Sequence, residues 1–231
     1  MRKDVSLGNI HTQMSESYFL GVLLAVAGGF LDAYTYATRG GVFANAQTGN
    51  VVLFAIHLAQ GQLGSLLRYL IPIAAFALGV VVAEAVRDLF RPQTLLHWRQ
   101  VLVAIEFLIL LASAFIPQGS YDEVVNVAVS FVCALQVETF RKIQGNALAT
   151  TMCTGNLRSG TDLLYHALRN RDPALLRRGL QYYGIILSFV LGAVIGVWAS
   201  AWLGAHSVLL CCGLLLAVFI AMFFNRDGAV L

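Results

Sequence analysis

The sequence predicts an all-α integral membrane protein that is built from two related halves. Hydrophobic residues make up 58% of the 231 residues and charged residues only 12%, whereas a soluble domain would have roughly twice that charged fraction. The tripeptide Thr-Gly-Asn occurs at 48–50 and again at 154–156, and an acidic residue lies 16 positions before each threonine. A repeated polar motif in so apolar a chain indicates an internal duplication, which is typical of membrane transport folds.

Eight apolar runs define the expected elements. Six of them approach the roughly 20 residues that a membrane-spanning helix needs; they cover about 18–38, 67–86, 100–117, 122–142, 179–203 and 206–225. Two shorter runs, about 48–60 and 154–168, begin at the Thr-Gly-Asn motifs and are too short or too polar to span. We therefore predict six transmembrane helices and two re-entrant half-helices.

The distribution of positive charge predicts the orientation of these elements. Arg and Lys concentrate at 2–3, 87–99, 141–142, 169–178 and 226, whereas the loop at 117–123 has none. By the positive-inside rule that loop is external and both termini are cytoplasmic. Each half then has three crossings and one re-entrant segment. Because three is odd, the halves have opposite orientation, which makes an inverted 3+3 repeat.

The expected units are a cytoplasmic N-terminal tail at 1–17, a first membrane repeat at 18–117 and a second at 118–231. Arg39 and Arg68 fall on the outer side in this arrangement, which counts against it. In the alternative arrangement both short runs cross the membrane, the chain has eight spans and the repeats are parallel.

The repeated motif predicts a binding site for a small solute. Thr48 and Thr154 are expected to act as N-caps of the two half-helices, and the free N–H groups there attract an anion or a polar solute. The alternative is a cap motif that serves packing alone. The predicted substrate-binding residues are Thr48, Gly49, Asn50, Gln136, Thr154, Gly155 and Asn156.

Three acidic residues are candidates for proton or ion coupling. Asp32 lies in an apolar run, on a stripe of small residues, and no basic residue lies within one turn of it; an acid in that setting indicates a relay. Glu106 lies inside the third long run and must face the helix bundle. Glu138 is the counterpart of Asp32 by its interval, although a salt bridge to Arg141 explains it about as well.

Two signatures resemble those of the YoaK-like family of bacterial inner-membrane proteins. The first is Gly-Gly-Phe-Leu-Asp-Ala-Tyr at 28–34 with Phe-Ala-Asn-Ala-Gln-Thr-Gly-Asn at 43–50. The second is Ala-Leu-Gln at 134–136 leading to Thr-Thr-Met-Cys-Thr-Gly-Asn at 150–156. The resemblance implies the membrane fold and the bacterial inner membrane, but no substrate. Proteins of that family often have an Asn after the Gln, where this chain has Val137 and Glu138, so the second site differs.

The function predicted from these features is a small secondary transporter for a small polar or anionic solute, with a proton-coupled mechanism as one form. An aquaporin-like channel is the alternative within transport. A membrane enzyme acting on lipid is the alternative from another class, but the sequence has no H-E-x-x-H or G-x-S-x-G motif and we expect no enzyme.

The expected partners are the solute and the lipid bilayer. A formal charge of +3 does not favour nucleic-acid binding. Gly192 and Gly196 form a G-x-x-x-G motif that permits a homodimer. We expect no cofactor and no metal, because the four cysteines lie in apolar stretches without flanking histidines and are typical of packing residues.

Overall fold

The computed structural model describes residues 17–90, 97–143, 146 and 148–223. The named elements in these ranges are all helices, joined by irregular segments, with no named strand. The predicted tail at 1–17 lies outside them except for Ser17. The α-helices are α1 Tyr18–Thr38, α2 Gln47–Ala59, α3 Leu66–Phe90, α4 Trp98–Ser113, α5 Asp122–Thr139, α6 Cys153–Asn170, α7 Pro173–Leu203 and α8 Val208–Ala221.

Short polar sequences explain where several helices begin. Ser17 Oγ accepts a hydrogen bond from the Leu20 N–H at the start of α1. Asp172 accepts from two N–H groups at the start of α7, where Pro173 occupies the first helical position. Side-chain oxygens at the N-cap satisfy donors that the helix itself leaves free, and proline suits the first position because no N–H is needed there.

Three helical stretches are long and apolar enough to cross a membrane: Tyr18–Thr38, Leu66–Phe90 and Pro173–Ala221. The last covers both α7 and α8 in 49 residues. α4 has only 16 residues, and Gln47–Ala59 is a shorter apolar helix. The structure is therefore compatible with a multi-pass membrane protein, and the number of six spans stays a prediction.

The helices pack in a pattern that exchanges the two halves of the chain. α1 packs on α7, and α5 packs on α3. α6 packs on α7, and α2 packs on α3; likewise α4 contacts α5, and α8 contacts α1. Each pair becomes the other when α1–α4 are replaced by α5–α8. The first helix of each half therefore packs mainly on the third helix of the other half.

The α1–α7 contact is a close approach of two backbones. A methyl group on Gly29 would overlap the Phe189 carbonyl, and one on Gly192 would overlap the Val26 carbonyl. Gly196 packs in the same way against Phe30. Small residues at such positions allow helices to come close and gain van der Waals contact. The G-x-x-x-G motif that permits a homodimer is thus occupied within the chain.

A buried arginine joins the ends of three helices. Arg39, just after α1, is completely buried and donates to the carbonyls of Ile116 and Pro117 beyond α4, at 2.9 and 3.1 Å. Its guanidinium also pairs with Asp122 at the start of α5, at 3.1 Å. The end of α1, the end of α4 and the start of α5 therefore lie together, and we call this the Arg39 end.

A second group of charges lies at the opposite ends of α4 and α5. Arg141, which follows α5, pairs with Glu84 in the last part of α3 and with Glu138. Trp98 and Arg99, at the start of α4, border the same cleft as Arg141. The ends of α3 and α5 and the start of α4 therefore lie together, and we call this the Arg141 end.

The close contact of α1 with α7 makes a first prediction. Replacing Gly192 with Ala places a methyl group on the Val26 backbone, which cannot move without separating the helices. We expect the free energy of unfolding to fall by about 1–3 kcal/mol, as in other overpacked cores, measured by thermal unfolding in detergent. The control is Gly213→Ala, because a methyl group there meets nothing within 4 Å. Equal midpoints for the two variants would contradict this account of the interface.

Candidate functional site

Asp32 lies where the irregular segment between α1 and α2 packs beside α1. The corresponding segment of the second half lies between α5 and α6. Its side chain is 8% exposed, and Oδ1 accepts a hydrogen bond from the Asn45 N–H at 2.9 Å. Asn45 in turn donates through Nδ2 to the carbonyl of Gly28, one turn earlier on α1, at 3.3 Å. Among the described residues no basic side chain pairs with Asp32, so its carboxylate is held by backbone alone.

The irregular segments of the two halves meet at Gly28. A methyl group on Gly28 would lie 3.0 Å from Thr151 Cγ2, 3.4 Å from Asn45 Nδ2 and 3.5 Å from the Thr150 carbonyl. Asn45 comes from the segment before α2, and the two threonines come from the segment before α6. Glycine suits this position, because even a methyl group would require Thr151 to shift by a few tenths of an ångström.

Gln136 fixes the second segment in place. It is 1% exposed, and Nε2 donates to the Leu24 carbonyl of α1 at 3.0 Å and to Thr150 Oγ1 at 3.1 Å. The side chain thus links α5, α1 and the segment before α6. Its amide N–H donors are thus bonded to protein groups, and the role of Gln136 in substrate binding stays a prediction.

The asparagines of the two Thr-Gly-Asn motifs have the same structural role. Asn50 Nδ2 donates to the Phe43 carbonyl at 3.2 Å, and Asn156 Nδ2 donates to the Ala149 carbonyl at 2.5 Å. In both cases the acceptor lies seven residues earlier, and the two pairs are 106 residues apart. Both asparagines are buried. Each one holds the irregular segment against the helix that follows it.

The expectation that Thr48 and Thr154 act as N-caps is wrong. α2 begins at Gln47 after Ala46, α6 begins at Cys153 after Met152, and neither N-cap residue makes a side-chain hydrogen bond. Each threonine is thus the second residue of its helix. In α2 the N–H groups of Gln47 and Gly49 donate to the carbonyls of Asn45 and Ala46, at 3.2 and 2.9 Å, so among the described residues only the Thr48 N–H of the first three lacks a partner. In α6 the first three N–H groups have no described partner and are left to water or to a solute.

The threonine and glycine of each motif face away from the packed protein. Thr48 and Thr154 are exposed, and a methyl group on Gly49 or Gly155 would meet nothing within 4 Å. The residues of the motif therefore have two different structural roles in each half. The asparagine is a buried structural residue, and the threonine and glycine border open space at the start of a helix.

Two arginines that the sequence analysis missed hold the ends of these segments. Arg68, near the start of α3, donates to the Gly40 carbonyl just after α1. Arg178, in the first turns of α7, donates to Asn146 Oδ1 at 2.9 Å, just after α5. Gly40 and Asn146 are again 106 residues apart. The signal that could have found them is an arginine at the start of the second long apolar run of each half.

Glu138 does not occupy the position in α5 that Asp32 occupies in α1. Asp32 lies six residues before the end of α1, whereas Glu138 lies one residue before the end of α5. Their equal intervals arise because the connection after α5 is five residues longer than the connection after α1. Counted from the helix ends, the counterpart of Asp32 is Cys133. Glu138 pairs with Arg141, and its coupling role stays a prediction.

Glu106 is the second buried acid near the centre of the structure. It is completely buried on α4, and neither of its carboxylate oxygens has a hydrogen-bond partner among the described residues. An unpaired carboxylate is costly in such surroundings, which makes Glu106 a candidate to bind a proton. The described residues contain no group of three His, Cys, Asp or Glu that could hold a metal ion.

The comparison with known proteins assigns the chain to a family. The sequence profile described as "Protein of unknown function (DUF1275)" matches residues 20–221, which is most of the chain. The chain belongs to this family. No curated protein and no solved structure matches it. The family match covers α1 to α8, including both Thr-Gly-Asn motifs and the segments that meet at Gly28, and it brings no activity with it.

The shared role of the motif asparagines makes a second prediction. Replacing Asn156 with Ala removes hydrogen bonds to both the N–H and the carbonyl of Ala149. We expect a loss of about 1–3 kcal/mol in stability, because partly buried backbone groups lose their partners, together with faster proteolysis in the 140–152 segment. The control is Thr154→Ala, which removes an exposed side chain. A large effect of the threonine variant and none of the asparagine variant would contradict the assignment.

Proposed function

We propose that this protein is a small secondary transporter for a small polar or anionic solute, and that Asp32 is its proton-coupling residue. The observation that supports this most is the position of Asp32. It is a buried acid that no basic side chain in the described part of the chain pairs with, and it is bound to a segment that meets its counterpart from the other half one helical turn away. Buried acids of this kind mark ion and proton pathways in membrane proteins.

The hydrogen bonds of Arg68 and Arg178, which we call the arginine clamps, support re-entrant segments. Arg68 and Gly40 stand on either side of the segment that contains α2, and they are hydrogen-bonded to each other. Arg178 and Asn146 do the same on either side of α6. A segment whose two ends are bonded to each other leaves and returns at one side, which is the behaviour expected of a half-helix that dips into the membrane.

The direction of the helices supports an inverted repeat. α5 starts at the Arg39 end and finishes at the Arg141 end, because Asp122 pairs with Arg39 and Glu138 with Arg141. α1 finishes at the Arg39 end, and Tyr18 at its start donates to the Gln181 carbonyl of α7, close to the Arg178 clamp. On these contacts α1 and α5 run in opposite directions, as in the inverted 3+3 arrangement.

The charges of the two ends support a cytoplasmic location for the Arg141 end. Arg87, Arg99, Arg141 and Lys142 lie there, in accord with the positive-inside rule. Arg39 and Arg68, which fall on the opposite side, are bound to specific partners and so need not act as topology signals. We propose the bacterial inner membrane, with both termini cytoplasmic, in keeping with the resemblance to the YoaK-like family.

Proton binding at Asp32 provides a physical route to coupling. The hydrogen bond from the Asn45 N–H to an ionised carboxylate is charge-assisted and about twice as strong as a neutral one. Protonation of Asp32 weakens that bond, so the segment that leads into α2 is then held by fewer interactions, among them the hydrogen bond from Asn45 Nδ2 to the Gly28 carbonyl. The position of α2 then depends on whether a proton is bound.

The solute site in this proposal is the open space beside the two motif glycines. The first turn of α6, and the Thr48 N–H of α2, offer N–H groups without a described partner, and both helices present the positive end of the helix dipole. Thr151, two residues before α6, lies beside Gly28, one helical turn before Asp32 on α1, which brings the start of α6 close to the coupling residue. Solute and proton would thus be bound by neighbouring parts of the same structure.

The third prediction tests the coupling. Asp32→Asn keeps a hydrogen-bond acceptor for the Asn45 N–H but cannot bind and release a proton. We expect the wild type in proteoliposomes to take up a solute from pooled anions and neutral polar compounds while dissipating a pH gradient, and the variant to lose the coupled uptake. The control is Asp162→Asn, an acid on the exposed face of α6. Flux that persists unchanged in Asp32→Asn indicates a channel, and no flux from any pool contradicts transport.

The fourth prediction tests the solute site. Gly49→Ala and Gly155→Ala add a methyl group to open space and improve helix propensity by up to about 1 kcal/mol, so we expect the protein to stay folded. Uptake should nevertheless fall roughly tenfold or more, because the methyl groups occupy the space of the solute.

The matched control for the two glycine variants is Gly213→Ala on α8, which is also unobstructed. It should keep both stability and uptake. Normal uptake in the two motif variants would place the solute elsewhere in the protein.

A further inference from the structure

A basic cleft lies at the Arg141 end, away from Asp32 and the repeated motifs. Its volume is about 300 Å³, and it opens between the end of α3, the start of α4 and the end of α5. The side chains that border it include Arg87, Trp98, Arg99, Glu138, Arg141 and Lys142. Nothing in the proposed transport cycle uses these residues.

The cleft has an excess of positive charge that its own acids do not neutralise. Among the described residues, Arg87, Arg141 and Lys142 of the cleft border face two acids, Glu138 in the cleft and Glu84 beside it, which leaves a formal charge of +1 before Arg99 is counted. Arg141 is shared between both carboxylates. Among the described residues Lys142 has no ion-pair partner and its side chain is exposed. An anion of one or two negative charges would complete this cluster.

Trp98 orients two of the four basic groups. The guanidinium of Arg87 lies 5.5 Å from the centroid of the Trp98 ring, and that of Arg99 lies 5.3 Å from it. Cation–π contacts of this kind restrain an arginine side chain. Arginines held in this way are suited to bidentate hydrogen bonds with phosphate. Tryptophan itself is typical of the membrane–water interface, where lipid headgroups lie.

We propose that this cleft binds the phosphate group of an anionic ligand, and that its natural source is the headgroup of an anionic phospholipid. Basic pockets between helices at the cytoplasmic face are suited to anionic headgroups. The volume is sufficient for a phosphate with the glycerol that follows it. The proposal needs only that the protein lies in a membrane, and it does not depend on transport.

The test is lipid binding to the purified full-length protein in zwitterionic detergent. Native mass spectrometry would compare retention of phosphatidylglycerol with that of phosphatidylcholine, and a thermal-shift assay would follow stability with each lipid and with inorganic phosphate. We expect phosphatidylglycerol to be retained and to stabilise the protein, and phosphatidylcholine to have neither effect. Protection by inorganic phosphate alone would identify the same phosphate site with a soluble source.

Two variants of the cleft make the result specific. Arg87→Gln with Lys142→Gln removes two of the four positive charges, and we expect affinity for phosphatidylglycerol to fall roughly tenfold or more. Lys142→Glu reverses one charge at a residue that has no ion-pair partner in the described ranges, so it should have the same effect with little risk to folding. The matched control is Arg177→Gln, an exposed arginine of α7 outside the cleft.

Two results would overturn the proposal. One is equal retention of the two lipids together with no protection by phosphate. The other is unchanged binding of phosphatidylglycerol in both cleft variants. A loss of uptake in Asp32→Asn with normal lipid binding would separate this site from the transport site.

Discussion

The structure depends on satisfying the backbone polar groups of two irregular segments that lie among apolar helices. An unpaired N–H or carbonyl is costly in such surroundings. Side chains from neighbouring helices solve this problem: Ser130 donates to the Ala44 carbonyl at 2.7 Å, Thr35 accepts from the Ala44 N–H at 3.3 Å, and Gln136 reaches the second segment. Several of the buried polar residues of this apolar protein lie there for that reason.

The same constraint explains why Asp32 is the most informative side chain. Its carboxylate accepts the Asn45 N–H and so belongs to the group of side chains that satisfy the irregular backbone. Unlike Thr35 or Ser130, it also has a charge that can change. A buried group that both holds a segment and titrates connects proton binding to the position of that segment. Structure and proposed mechanism thus use one hydrogen bond.

The two halves repeat the scaffold and differ in their chemistry. The arginine clamps at Arg68 and Arg178 recur, and so do the asparagine contacts within the Thr-Gly-Asn motifs. The buried acid does not recur, because the counterpart of Asp32 from the helix ends is Cys133. The parts that hold the segments are the same in both halves, and the titratable part belongs to one half.

Several helices could be predicted from the local sequence. The apolar runs at 18–38 and 48–60 correspond closely to α1 and α2, because an apolar run between polar residues is enough to indicate a helix. The burial of Asp32 also followed from its stripe of small neighbours. The separation of the motif into a buried asparagine and an exposed threonine could not be read, since it depends on where each helix begins.

Which residues of the two halves are structurally equivalent, and which residues contact each other, depends on how distant helices pack. Equal intervals in sequence made Glu138 the counterpart of Asp32, but a five-residue difference in the following connection moves it to the helix end. The Arg39 contacts with Asp122 join residues 83 positions apart, and the meeting of the two segments at Gly28 joins both halves. Such contacts depend on the packing of distant helices, for which the local pattern of a sequence contains no signal.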